Sequence, residues 1–199
     1  MRDYPEHPKT GWKRAVFLDR DGTINVDTHY PHKIEDLEIY PEALKGMQIL
    51  AKLPADLIVI TNQSGIALEL YEEREMSAFN SELRKQLDEA GSRVDAIYYC
   101  PHFEKKNPQY NEETKCDCCK PLPGLVLEAA EDFQLDLTKC FFIGDKTSDI
   151  AAGQVAGCKT ILVLTGKAGK EDDRVPVTPD YVVADLFEAA LIVEREMLG

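Results

Sequence analysis

Short apolar runs and stretches of helical spacing alternate along this chain, and the alternation predicts its architecture. Residues 15–19 form a continuous apolar run ending in Asp19, and residues 41–53 carry apolar positions at three-to-four spacing behind a proline suited to a first helical turn. A second buried strand is predicted at residues 57–60. A long polar helix follows over residues 72–90, with Met76, Phe79, Leu83 and Leu87 on one face and Gly91 after its end. A third strand is predicted at residues 94–99, then the periodicity stops over residues 100–119. Regularity resumes with a helix near residues 123–133, a strand at 140–143, a helix at 148–156, strands at 160–164 and 181–183, and a helix at 185–197. Strands alternating with helices imply an α/β fold with a doubly wound parallel sheet and helices on both faces. No repeat or linker interrupts residues 1–199, so the chain reads as one domain, with residues 1–12 expected to be flexible.

The polar residues at the ends of these strands carry the chemistry. In such a sheet the carboxyl ends of the strands line the ligand crevice. The first strand delivers Asp19-Arg20-Asp21-Gly22-Thr23 there, and strand alternation predicts Asp19 and Asp21 on one side with Arg20 turned away. Two adjacent carboxylates require a divalent cation or a shared proton, and both suit phosphoryl transfer. The second strand ends in Thr61, Asn62, Gln63 and Ser64, whose hydroxyls and backbone N–H groups before Gly65 suit phosphate oxygens. The fourth ends in Asp145 with Lys146 beside it, while Asp149 is explained equally by a helix N-terminus. Lys120 precedes another helix, where a cation can reach the crevice.

A second cluster falls in the irregular stretch: Cys100 and His102, thirteen residues, then Cys116 and Cys118. Three thiolates and an imidazole suit tetrahedral Zn²⁺, and four protein ligands leave no open position, so a structural zinc clamp over residues 100–119 is expected. Cys119 is a fifth candidate; Cys140 and Cys158 adjoin apolar stretches and read as core residues.

The formal charge of −13 argues against nucleic-acid binding, which relies on clustered Lys and Arg. No apolar run approaches the ~20 residues of a membrane helix, and the first residues lack the apolar core of a secretory signal. A cytoplasmic protein is expected, with its thiols reduced or metal-bound, and a monomer.

The strand-end elements in this order resemble the haloacid dehalogenase superfamily of Mg²⁺-dependent phosphatases. The resemblance implies Asp19 as nucleophile forming an aspartyl-phosphate and Asp21 as acid and base. It further implies Thr61 and Lys120 on the phosphoryl group, and Mg²⁺ on Asp19, Asp21 and Asp145 with the backbone carbonyl of Arg20. With Lys120, Mg²⁺ and a phosphate dianion in place, one negative charge remains, which Lys146 in contact with substrate would cancel. Tyr-Tyr-Cys-Pro-His, Cys-Asp-Cys, Lys-Pro-Leu-Pro-Gly, Thr-Asn-Gln-Ser-Gly-Ile-Ala and Ile-Gly-Asp-Lys look like the branch acting on the 7-phosphate of heptose 1,7-bisphosphate, a lipopolysaccharide precursor. Histidinol-phosphatases share the zinc pattern and are the alternative enzyme; a phospho-acceptor receiver domain is the alternative of another class. By the same resemblance Asp27, Thr28, His29 and Tyr30 form a substrate-contacting flap, Cys119 falls in the substrate-recognition segment, and no large cap domain is present. The family usually carries Arg where this chain has Cys119, and Arg-Gly where it has Leu68-Glu69. Neither replacement offers the bidentate grip of a guanidinium on phosphate.

Overall fold

In the computed structural model, residues 11–103, 116–172 and 174–199 are described. Six strands form one sheet, β1 (Ala15–Leu18), β2 (Asp56–Asn62), β3 (Ala96–Cys100), β4 (Phe141–Gly144), β5 (Lys159–Val163) and β6 (Tyr181–Val183), in the order β3-β2-β1-β4-β5-β6. Every neighbouring pair is parallel. Five helices connect or follow the strands, α1 (Pro41–Leu50), α2 (Glu73–Glu89), α3 (Gly124–Phe133), α4 (Thr147–Ala156) and α5 (Leu186–Leu198).

Alternation along β1 splits the core. Val16 and Leu18 join Met47, Leu83, Leu186 and Ala190 from α1, α2 and α5 on one face, whereas Ala15 and Phe17 join Leu125, Ala129 and Ala152 from α3 and α4 on the other. Both faces being covered, strands read as unbroken apolar runs. The chain winds outward from β1 in both directions, so the crevice opens at the carboxyl ends of β1 and its two neighbours, β2 and β4.

Element bounds differ from the sequence expectation mainly where hydrogen bonding overrides periodicity. β2 runs on through Thr61 and Asn62, because β3 continues the ladder opposite them at Tyr99 and Cys100. This places Thr61 and Cys100 in regular strand rather than in loops. β3 starts later than expected, at Ala96, since the Asp95 side chain takes the Leu57 N–H at 2.7 Å. β1 stops at Leu18, before the acidic residues. No cap domain separates β1 from α1. A loop there is closed at its base by short antiparallel contacts: Val26 N–H donates to the Glu38 carbonyl, and Tyr40 N–H to that of Ile24. Residues 1–10 and 104–115, within the expected flexible terminus and zinc loop, lie outside the described residues.

Candidate active site

Asp19 sits one residue beyond β1, its N–H donating to the Ile143 carbonyl of β4 at 2.9 Å. That bond brings it beside Asp145 and Asp149, and ligand oxygens of these three buried carboxylates lie within 4.8 Å of one another. Lys120 enters from the segment before α3, its Nζ donating to Asp19 Oδ1 at 2.7 Å and to the Ile60 carbonyl at 2.8 Å, and forming an ion pair with Asp149 Oδ1 at 2.6 Å. Both amide atoms of Asn62 hold the Lys120 backbone, Nδ2 on its carbonyl and Oδ1 on its N–H, each at 3.1 Å. Asn62 therefore positions Lys120 rather than facing a ligand. Ser64 is part of the turn after β2, its carbonyl accepting from Leu68 N–H.

Gly22 makes the approach of Asp145 possible. Its φ of +94° suits glycine, and an added Cβ would lie 2.4 Å from Asp145 Oδ2. Of the two oxygens of Asp145, Oδ2 accepts from Lys167 N–H at 2.6 Å, whereas Oδ1 is buried without a hydrogen-bond partner among the described residues. A buried, unpartnered carboxylate oxygen is costly unless a cation occupies the space before it. Charge agrees. Burial and then the neighbouring Asp19 push the Asp145 carboxyl up to about 8, against the pull of Lys146. Burial and Asp19 likewise push Asp149 up to about 6. Burial also works to raise Asp19, but Lys120 and Lys146 outweigh it and hold that carboxyl below its ordinary value. Burial would lower Lys146, yet the charges of Asp19, Asp145, Asp149 and Asp27 outweigh it and raise the lysine. Three carboxylates against two lysines leave a site short of positive charge, and an all-oxygen donor set is what a hard divalent cation takes.

The Arg20 carbonyl, expected on the metal, accepts from the N–H groups of Thr23, Ile24 and Asn25 and so closes the turn. The carbonyl of Asp21 accepts no backbone hydrogen bond among the described residues. The Asp21 carboxylate also stands outside the Asp19–Asp145–Asp149 group. Because β1 ends at Leu18, strand alternation does not extend to Arg20, whose fully buried guanidinium reaches Asp21 through Nε and Nη2, each at 2.9 Å. The same guanidinium donates to Asn80 Oδ1 at 2.8 Å and to the Pro31 carbonyl at 3.1 Å, over the ring of Phe79. Asn25 Nδ2 and Gln63 Nε2 complete the hold on Asp21, each at 3.0 Å. Gln63 is fixed in turn by the Tyr71 hydroxyl, which donates to its Oε1 at 2.7 Å; burial pushes that phenol up to about 12 and keeps it a donor. Gln63 Nε2 also donates to Thr61 Oγ1 at 2.9 Å, which leaves the Thr61 hydroxyl hydrogen available for a ligand.

Within the flap, Asp27 Oδ1 caps the turn by accepting from His29 N–H at 3.0 Å, and Asp27 Oδ2 lies 3.8 Å from Lys167 Nζ. His29 and Tyr30 have φ of 68° and 64°, an uncommon pairing for two non-glycine residues. Thr28 and His29 are exposed at the tip, and Tyr30 packs toward Tyr71. Asp27 is thus the flap residue brought to the crevice.

The second cluster assembles at the end of β3. Cys100, His102, Cys116 and Cys118 offer ligand atoms all within 4.8 Å. Cys100 Sγ lies 3.7 Å from Cys116 Sγ, 3.2 Å from Cys118 Sγ and 3.5 Å from His102 Nδ1, and His102 Nδ1 lies 3.4 Å from Cys118 Sγ. Tetrahedral bonds of about 2.3 Å to sulfur and 2.0 Å to nitrogen require ligand separations of about 3.5–3.8 Å, close to this spacing. Hydrogen bonding with Cys100, helped by His102, overcomes burial and pulls Cys118 down to about 5. Cys119 lies next to this group, and Asn62 Nδ2 is 3.5 Å from its Sγ.

Sequence reasoning left Asp149 open and did not find the holding network of Arg20, Asn80 and Tyr71. The four-residue step from Asp145 to Asp149 was the available signal, since it sets Asp149 in the first turn of α4, where its Oδ2 accepts from Lys146 N–H at 3.0 Å.

A parallel sheet with a buried aspartate after β1, a hydroxyl in the last residues of β2, a buried lysine before α3 and acids after β4 is the arrangement of a haloacid dehalogenase-type hydrolase. The HAD-hydrolase-like family model matches residues 117–189. Among similar proteins, D-glycero-beta-D-manno-heptose-1,7-bisphosphate 7-phosphatase of Pasteurella multocida is 38% identical over 92% of this chain and 97% of its own length. The protein of that name from Escherichia coli K12 is 37% identical over 92% and 94%. The D,D-heptose 1,7-bisphosphate phosphatase of B. bronchiseptica, solved with magnesium and phosphate, superposes with a TM-score of 0.80 at 29% identity, covering 92% of this chain and 99% of its own. The chain belongs to this family of phosphatases.

Proposed function

We propose that this phosphatase removes the 7-phosphate of a heptose 1,7-bisphosphate, with Mg²⁺ held by Asp19, Asp145 and the carbonyl of Asp21. The observation that carries the reading is the buried, unpartnered Asp145 Oδ1 beside the Asp19 carboxylate. The names of the relatives and the magnesium and phosphate of the B. bronchiseptica structure support it.

Bound Mg²⁺ supplies charge neutralisation between the carboxylates and the phosphoryl oxygens. Lys120 holds Asp19 Oδ1, which leaves Oδ2 to attack phosphorus while the bond from phosphorus to the sugar oxygen breaks. Asp21 supplies the proton to the departing alkoxide, then takes one from the water that attacks the aspartyl-phosphate and restores Asp19. To do so it exchanges one of its contacts with Arg20, Asn25 or Gln63. Thr61, through its free hydroxyl hydrogen, together with Lys120 and Lys146, holds the phosphoryl oxygens. Asp27 meets the sugar, with Thr28, His29, Tyr30, Ser64 and Cys119 forming the rest of the recognition surface. The cysteine–histidine quartet holds a structural Zn²⁺, since it leaves no position open for substrate.

Phosphate release tests the reading across heptose 1,7-bisphosphate, sugar monophosphates and histidinol phosphate, compared as kcat/KM. The bisphosphate should lead, losing only its 7-phosphate. A preference for histidinol phosphate would overturn the substrate assignment, and a single phosphorylation without turnover would overturn the mechanism.

A further inference from the structure

Between β5 and β6 the chain returns over the carboxyl end of the sheet as a strap, and six hydrogen bonds tie it to the site and to the start of α4. Thr165 Oγ1 donates to the Gly22 carbonyl at 2.7 Å, in the turn that carries Asp21. Lys167 N–H donates to Asp145 Oδ2 at 2.6 Å, and Gly169 N–H to the Asp145 carbonyl at 2.7 Å. At the far end Glu171 Oε1 accepts from Thr147 N–H at 2.6 Å and from the Thr147 hydroxyl, whose oxygen accepts in turn from Val175 N–H at 2.8 Å. The approach is close enough to need glycine. Gly166 has φ of +53°, and a Cβ there would lie 2.2 Å from Asp145 Oδ2 and 2.7 Å from the Gly22 Cα.

These contacts divide the labour of one carboxylate. Oδ2 is fixed by a main-chain donor that no side-chain rotation can withdraw, and Oδ1 stays buried without a hydrogen-bond partner among the described residues. A carboxylate fixed in this way loses little further freedom when it takes a cation, and partners behind a ligand normally govern its affinity. The Thr165 bond extends the effect by locking the Gly22 turn against the same strap, so the positions of Asp145 and of the Asp21 backbone are set together.

We propose that residues 165–171 are a working part of the cation site: Thr165 and Gly166 are positioning residues that fix Asp145 and the Asp21–Gly22 turn for the divalent ion. The inference rests on reading the carboxylate group as a Mg²⁺ site. It is tested on the full chain by calorimetric titration with Mg²⁺ and by melting in EDTA. Thr165→Val and Gly166→Ala should weaken Mg²⁺ binding about ten- to a hundredfold, with kcat at saturating Mg²⁺ falling far less; Thr165→Val should keep the melting temperature in EDTA near that of the parent, whereas the crowded Gly166→Ala should lower it. Thr165→Ser, which keeps the donor, should restore binding. Parent-like Mg²⁺ affinity in both Thr165→Val and Gly166→Ala overturns the role of the strap. If Gly166→Ala does not fold, the Val and Ser pair at 165 decides alone. A parent chain that binds no Mg²⁺, or Asp145→Asn that binds it as the parent does, overturns the cation site itself and the strap's role with it.

Discussion

Asp19 is almost fully buried, among two lysines and two other carboxylates, and its reactivity follows from that balance. Lys120 and Lys146 keep it anionic, as a nucleophile requires. Asp19→Asn preserves the shape and Lys120's neighbour but removes the nucleophile, so phosphate release should fall below detection while the melting temperature changes little. Asp21→Asn should lower kcat by roughly 10²- to 10⁴-fold, the usual contribution of a general acid and base. Asp145 gives a pH prediction. Its pKa of about 8 stands above the ordinary carboxyl value of ~3.9. Protonation therefore favours the folded metal-free chain: the contribution is complete below the unfolded value and is lost as pH rises through about 8. Cation binding needs the ionised form and has the opposite dependence. The gain in melting temperature on adding Mg²⁺ should be larger at pH 8.5 than at pH 6. An equal gain at both would refute it.

At the scale of elements, the ends of β2 and β3 do more than terminate a sheet. Extension of β2 to Asn62 brings that amide against Lys120, and extension of β3 to Cys100 starts the cysteine–histidine cluster. Lys120 and the metal-type ligands are therefore held at adjacent strand ends. Asn62→Ala should lower kcat about tenfold, since removing two hydrogen bonds to the Lys120 backbone forfeits on the order of 1–2 kcal/mol of positioning; kcat from steady-state turnover checks this. Zinc analysis should find about one ion per chain, and chelation should lower the melting temperature by several degrees, because a clamp of four ligands contributes folding free energy outright.

Over the whole molecule, the outward winding from β1 gathers residues from four distant stretches, Asp19, Thr61, Lys120 and Asp145, into one crevice of an otherwise acidic protein. Alternating apolar runs were enough to foresee every strand and every long helix, because strands buried on both faces and helices buried on one leave strong periodic signals. Residue types at the strand ends singled out Asp19, Thr61 and Asp145 as side chains that the fold would bring to one edge, since topology sends such ends to one side. Sequence alone determined the sheet, its helices and the chemical inventory of the crevice, because these depend on periodicity and on the order of elements along the chain. Tertiary structure alone decided that Asp149 joins the acids, that Asp21 is held by Arg20 instead of pairing with Asp19, and that the strap fixes Asp145. Those outcomes depend on where a side chain turns once its strand has ended and on backbone N–H groups, which every residue but proline carries and which leave no mark in residue type.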